Sequence, residues 1–273
     1  MHLCFSASRR NRQRPEGAAM PDILVSSPAP HVQLIQFNRP HARNALSLAL
    51  LKETAEVLRS AEADPTIRAV VLAGDDKAFS AGADIKEMPD GGIPMWGQRE
   101  RLSAWKTLEQ FRKPLIAAVE GYALGGGCEI TLLCDIVIAS RAARFGLPEV
   151  KIGAFPGDGG TQRLPRAIGK SRAMWMIMTG SFIDGQTACD WGMATEATAP
   201  GEALARACAI AEEIAGMSPI AIEMIKQEVL MTYSKPLDES LSLERKLLLW
   251  QTQDHDEGIA AFIEKRKPVF TGR

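Results

Sequence analysis

Residues 121–163 read GYALGGGCEITLLCDIVIASRAARFGLPEVKIGAFPGDGGTQR. A triple glycine, Gly125-Gly126-Gly127, opens a segment with helical character, and Glu129 falls in its first turn. Glu149 follows twenty positions later, directly behind Pro148. Glycines ahead of a helix leave backbone N–H groups pointing outward with the positive end of the helix dipole behind them, which suits a developing anion. Two carboxylates held near such a site are what general acid–base chemistry on a polarised carbonyl uses. Taken singly, each feature also has a plainer use. A tight turn calls for the same glycines, a glutamate at a helix start interacts with the dipole, and Glu149 alone suits a solvated loop.

Outward from this stretch, short apolar runs alternate with helical patterns. Residues 23–25 and 31–37 read as two strands broken by a loop at Ser26-Ser27-Pro28-Ala29-Pro30. Ser47 caps a helix running to about residue 61, with Leu48, Leu51, Ala55 and Leu58 at helical spacing. Residues 69–73 (AVVLA), 114–119 and 135–139 are continuous apolar runs, short enough for strands buried on both faces. A helix is expected over 98–111, and the Gly/Pro-rich residues 89–97 read as a loop. This alternation predicts an α/β fold with both sheet faces covered. From residue 201 strands cease, and 203–215, 219–231, 237–251 and 254–266 read as successive helices. The expected organisation is an extension over 1–20, an α/β core over 21–200 and a helical segment over 201–273.

Composition narrows the function classes. The 273 residues carry a formal charge of −1, so no global field draws nucleic acid or anionic lipid. No apolar run reaches the roughly 20 residues that span a bilayer. The five cysteines are an odd, scattered set, and the four histidines form no metal-ligand pattern. Reduced thiols in a cytoplasm are expected, with neither a disulfide scaffold nor a metal. Residues 1–20 are Arg-rich with no acid before Glu16. They suit either an organelle transit peptide, which would place the protein in a mitochondrial matrix, or a disordered extension upstream of Met20.

Other motifs lead nowhere. Gly157-Asp158-Gly159 starts like a dinucleotide loop, yet Gln162 stands at the third glycine. Gly169-Lys170-Ser171 ends like a P-loop, yet Leu164 stands at its first glycine. No G-x-S-x-G elbow occurs. The run Met174-Trp175-Met176-Ile177-Met178 reads as core or subunit contact. The segment from Lys77 to Ile85 suits an ordinary strand-to-helix turn or, with small residues such as Ala81 and Gly82 and a capping Asp84, close approach to a ligand.

Together these pieces resemble the enoyl-CoA hydratase/isomerase (crotonase) family from about residue 32 to 267. The resemblance rests on Asn38-Arg39-Pro40 with Asn44-Ala45-Leu46, Phe79-Ser80-Ala81-Gly82-Ala83-Asp84, the run from Gly121 to Glu129, Cys134-Asp135, Phe145-Gly146-Leu147-Pro148-Glu149, Pro156 through Leu164, and the tail around Glu257-Gly258 and Lys265-Arg266. Each piece is short; their order and spacing carry the signal.

The resemblance implies a spiral of ββα units, a C-terminal helical segment used in oligomerisation, and a homotrimer or homohexamer. It implies that the N–H groups of Ala83 and Gly126 form an oxyanion hole for an acyl-CoA thioester, each donor supplying on the order of 3–4 kcal/mol. It matches Glu129 and Glu149 to the two glutamates of true hydratases, the first activating water for C3 and the second exchanging a proton at C2. Ala81, Asp84, Ile85, Lys86, Gly125 and Lys265 would line the acyl-CoA site, Lys265 in its own or a neighbouring subunit, and no cofactor is needed because CoA belongs to the substrate. The competing activities are a Δ3,Δ2-enoyl-CoA isomerase, needing only Glu149, another acyl-CoA lyase, or a non-catalytic acyl-CoA or RNA-binding scaffold. Near-neutral charge without an aromatic-basic stripe disfavours RNA. Asp158 departs from the family, where that position is small, and so either reshapes its loop or faces solvent.

Overall fold

The structure is a computed structural model that describes residues 21–87, 99–244 and 251–273. The expectations for residues 1–20 and for the loop over 89–97 lie outside these. Strands β1 (Ile23–Ala29) and β2 (Val32–Phe37) form an antiparallel hairpin. The expected break at residues 26–30 is corrected: β1 continues through Ser26-Ser27-Pro28-Ala29, and only Pro30 and His31 turn. β1 is an edge strand whose register shifts between Ser26 and Ala29, so Pro28, which cannot donate, deprives no partner. Helix α1 (Leu48–Ala63) begins as read, with the Ser47 side chain accepting from the Leu50 N–H and Leu51, Ala55 and Leu58 buried.

The chain then repeats one unit three times: a strand, a short strand and a helix. The first is β3 (Ala69–Ala73), β4 (Ala78–Ser80) and α2 (Arg99–Glu109). The second is β5 (Leu115–Val119), β6 (Tyr122–Leu124) and α3 (Gly126–Leu133). The third is β7 (Ile136–Ser140), β8 (Arg144–Gly146) and α4 (Gly160–Ile168). Each unit advances one place in two sheets at once, because β3, β5 and β7 pair in parallel, as do β4, β6 and β8. This is the expected spiral of ββα units. After α5 (Lys170–Thr179), β9 (Phe182–Asp184) adds antiparallel to β8. After α6 (Gly185–Trp191), β10 (Glu196–Thr198) closes the larger sheet beside β7.

Four helices end the described chain: α7 (Ala203–Ala215), α8 (Pro219–Met231), α9 (Leu237–Glu244) and α10 (Gln253–Glu264). The expected continuation of α9 to residue 251 crosses residues outside the described set. No helix among the described residues is long and apolar enough to cross a membrane.

Period-2 alternation builds two cores. Val70 and Leu72 of β3 face α1 and α2, while Ala69, Val71 and Ala73 face Ala203, Ala207, Ala211 and Ala215 of α7. Burying one side chain the size of Leu72 is worth about 2–3 kcal/mol. An alanine at every fourth position gives α7 a flat inner face that lies close on the sheet. The Met/Trp run divides. Met176 joins the core, Met174 and Met178 are exposed, and Trp175 meets the Trp191 ring edge-on at 6.2 Å.

Candidate active site

Three parallel strands set side by side deliver three consecutive turns to one place. Ala83 follows β4, Gly126 follows β6 and Glu149 follows β8, at the carboxyl ends where ligands of parallel sheets gather. The first turn is held from below by residues 38–46. The Asn44 side chain is fully buried, accepts from the Arg39 N–H at 2.8 Å and donates to the Ala78 carbonyl at 2.8 Å. Ala81 donates to the Arg43 carbonyl at 3.0 Å. Leu46 pairs in parallel with Ala83, but the bonds run from the Leu46 N–H to the Gly82 carbonyl (2.8 Å) and from the Asp84 N–H to the Leu46 carbonyl (3.4 Å). The Ala83 N–H is thereby turned away from Leu46 and has no partner among the described residues.

The second turn supplies a matching donor. Gly125 adopts φ 51° and ψ −127°, a conformation open to glycine, and its N–H donates to the Gly146 carbonyl at 2.9 Å. Gly126 is the first residue of α3, so its N–H is one of the four a helix cannot satisfy. A Cβ placed on Gly126 would stand 3.9 Å from the Ala83 nitrogen, so the two unpaired N–H groups are neighbours. Gly127 packs so closely on β4 that a Cβ would stand 2.4 Å from the Ser80 carbonyl oxygen.

The carboxylates flank this pair of donors. Glu129 is 2% exposed, and its Oε1 accepts from the N–H groups of Asp158 and Gly160, each at 2.8 Å. Burial pushes Glu129 up to about 7; the charges of Asp158 and Glu149 add to the rise, and the two N–H bonds oppose it. Glu149 starts a single 3-10 turn (Glu149–Ile152) after Pro148. Burial raises its pKa, and the Asp158 charge adds. Its Oε2 is buried without a hydrogen-bond partner among the described residues. The site can therefore hold a proton at neutral pH, which two solvated carboxylates would not.

The remaining expected site residues divide. Asp84 is buried, paired with Arg39 at 2.9 Å, and caps the next turn by accepting from the Lys86 N–H at 3.2 Å. It is thus a brace of the Ala83 turn. Ile85 and Lys86 are exposed just beyond it. Lys265 ends α10 in a left-handed conformation, exposed, and no bond ties its side chain to the other site residues. Its neighbour Arg266 is taken up by Glu257 and Glu264.

Two residues escaped the sequence reading. Arg101 of α2 and Asp158 form a buried bidentate ion pair, with Arg101 Nη1 2.8 Å from Asp158 Oδ1 and Nη2 on Oδ2. Asp158 therefore does not face solvent. Trp105, one turn further along α2, reaches within 3.8 Å of a Cβ placed on Gly126. The signal for Arg101 was Asp158 itself, an acid among small residues that needed a cation.

Residues 29–273 match the family model described as enoyl-CoA hydratase/isomerase. The chain is 43% identical over 252 residues to the 2,3-dehydroadipyl-CoA hydratase of Escherichia coli, covering 92% of this chain and 99% of that one. It is 45% identical over 241 residues to the mitochondrial enoyl-CoA hydratase of Pongo abelii, covering 88% and 83%. The crystal structure of an enoyl-CoA hydratase from Bacillus anthracis superimposes with a TM-score of 0.86 at 39% identity, over 92% of this chain and 100% of that one.

Proposed function

This chain belongs to the enoyl-CoA hydratase/isomerase family, and on that premise we propose that it is a hydro-lyase that adds water across the 2,3 double bond of a 2-enoyl-CoA to give the 3-hydroxyacyl-CoA. The observation that carries this reading is the convergence of the buried Glu129 and the half-buried Glu149, whose Oε2 is enclosed, on a pair of adjacent unpartnered N–H groups.

A double bond conjugated to a thioester accepts water at C3 only as fast as the enolate-like charge on the thioester oxygen is stabilised. The Ala83 and Gly126 N–H groups are fixed before the charge forms, so no reorganisation is needed as it grows. Glu129 has one oxygen occupied by two N–H donors, which favours its ionised form and leaves the other oxygen to take the proton from water. Glu149, raised by burial and with an unpartnered oxygen, gives its proton to C2. One proton is taken and one given, so a proton crossing from Glu129 to Glu149 through solvent resets the pair. The Lys86 and Lys265 ammonium groups, unpaired among the described residues, suit CoA phosphates. The exposed Phe262 and Ile263 of α10 suit a contact between copies in a homotrimer or homohexamer.

The test is the loss of conjugated enoyl-thioester absorbance with crotonyl-CoA. Turnover that falls about 100-fold or more in both Glu129→Gln and Glu149→Gln supports the assignment. Full activity in Glu129→Gln, with loss only in Glu149→Gln, would move the chain to the isomerase reading.

A further inference from the structure

The Arg101 side chain is 1% exposed and that of Asp158 6%, in a pair joining α2 to the loop before α4. A buried ion pair carries a desolvation cost that surface pairs avoid, and apolar residues of similar volume often fill such a space with no loss of stability. What distinguishes this pair is where it ends. The Asp158 N–H donates to Glu129 Oε1 at 2.8 Å, and the Asp158 carboxylate is close enough to raise Glu129. At the other end, the Arg101 guanidinium lies over the Trp105 ring, 5.5 Å from its centre, and Trp105 approaches Gly126. One side chain thus spans from the carboxylate side of the site to the N–H side.

The groups facing Glu129 are few. Glu149 comes from the turn after β8, Asp158 from the loop before α4, and Cys128 stands beside it on α3. Arg163 of α4 points to the Asp158 carbonyl at 3.0 Å and to Glu109 at 2.9 Å. β4 carries no titratable side chain, and β6 carries only the exposed Tyr122. Among these groups Arg101 is the cation bonded to the carboxylate nearest Glu129.

We infer that Arg101 is a positioning residue for Glu129: through Asp158 it holds the N–H that Glu129 accepts and offsets part of the charge beside it. This rests on the reading of Glu129 as the carboxylate that handles water. Removing Arg101 takes the bidentate cation from the Asp158 carboxylate beside Glu129, and removing the Asp158 charge takes away an anion that raises Glu129. The two losses push the Glu129 proton in opposite directions, which a merely structural pair would not do.

The experiment titrates the Glu129 carboxyl by infrared difference spectroscopy against Glu129→Gln, in the full chain and in Arg101→Met, Arg101→Lys and Asp158→Asn backgrounds. The midpoint rises in Arg101→Met, falls in Asp158→Asn and stays near wild type in Arg101→Lys, which keeps the charge. With crotonyl-CoA, kcat of Arg101→Met falls about tenfold or more, while KM changes far less. Midpoints that coincide with wild type in folded variants, or that shift the same way in both, overturn the inference. If Arg101→Met does not fold, Asp158→Asn and Arg101→Lys carry the same comparison. The infrared midpoint needs no turnover, so an inactive wild type would sink the hydratase reading alone.

Discussion

A Cβ on Gly125 would stand 3.0 Å from Glu149 Oε1, so the glycine that opens α3 and the carboxylate that follows β8 share one small space. Gly125→Ala is expected to act twice. The backbone at φ 51° and ψ −127° resists a side chain, at about 1–3 kcal/mol. The methyl group also displaces Glu149, and kcat with crotonyl-CoA falls about 100-fold. A thermal melt together with steady-state kinetics separates the two; an unchanged kcat would break the link between this glycine and Glu149.

The Gly126 donor can be deleted while the helix is kept. Proline is favoured at the first position of a helix because the N–H it lacks is unsatisfied there anyway. A Cβ at Gly126 meets nothing closer than the end of the flexible Leu46 side chain, at 3.0 Å, and the ring of Gly126→Pro takes the place of the N–H itself. The variant should fold, bind CoA thioesters and lose about 100- to 1000-fold in kcat. Retained turnover would remove Gly126 from the oxyanion hole.

The Glu129 proton makes two linked predictions. On the proposed mechanism hydration needs the ionised carboxylate, so kcat is expected to fall below about pH 7, with that limb gone in Glu129→Gln. Stability runs the other way. With a folded pKa of about 7 against an ordinary 4.5, Glu129 binds more protons folded than unfolded between those values, so stability falls as pH rises through that window. Above pH 7 the charge costs about 3 kcal/mol. Urea melts should find Glu129→Gln more stable than wild type at pH 8 and nearly equal at pH 4. Equal stability at both would mean that Glu129 is not strained by burial.

Asn44 supports the site from outside it. Asn44→Ala strands the Arg39 N–H, leaves the Ala78 carbonyl with only the Asp75 N–H of its two donors, and puts alanine at φ 54°. A loss of about 2–4 kcal/mol is expected, with kcat falling as the Ala83 turn loosens. Denaturant melts and kinetics on the same preparation check both.

Legibility followed the length of each signal. The AVVLA run, the Ser47 cap and the α7 and α8 spans were readable because each covers several turns or a full strand. The second sheet was not: β4, β6, β8 and β9 have three residues each, too few for any period to show. Pro28 read as a loop because a proline's tolerance of an edge depends on where the strand sits in the sheet, which local sequence does not state. The glutamates were legible by resemblance, whereas Arg101 was not. A lone arginine in a helix looks solvated, and its partner lies 57 positions away.

The two unpaired N–H groups at Ala83 and Gly126 belong to the peptide chain and not to any side chain. An alanine scan is silent at Ala83, and almost any substitution there leaves the donor in place. On the proposed mechanism, the polarising half of the site is thus shielded from ordinary point mutation, while the proton-handling half depends on the identity of residues 129 and 149. On that mechanism, descendants of such a chain can trade one reaction for another at those two codons while the grip on the thioester oxygen is inherited unchanged.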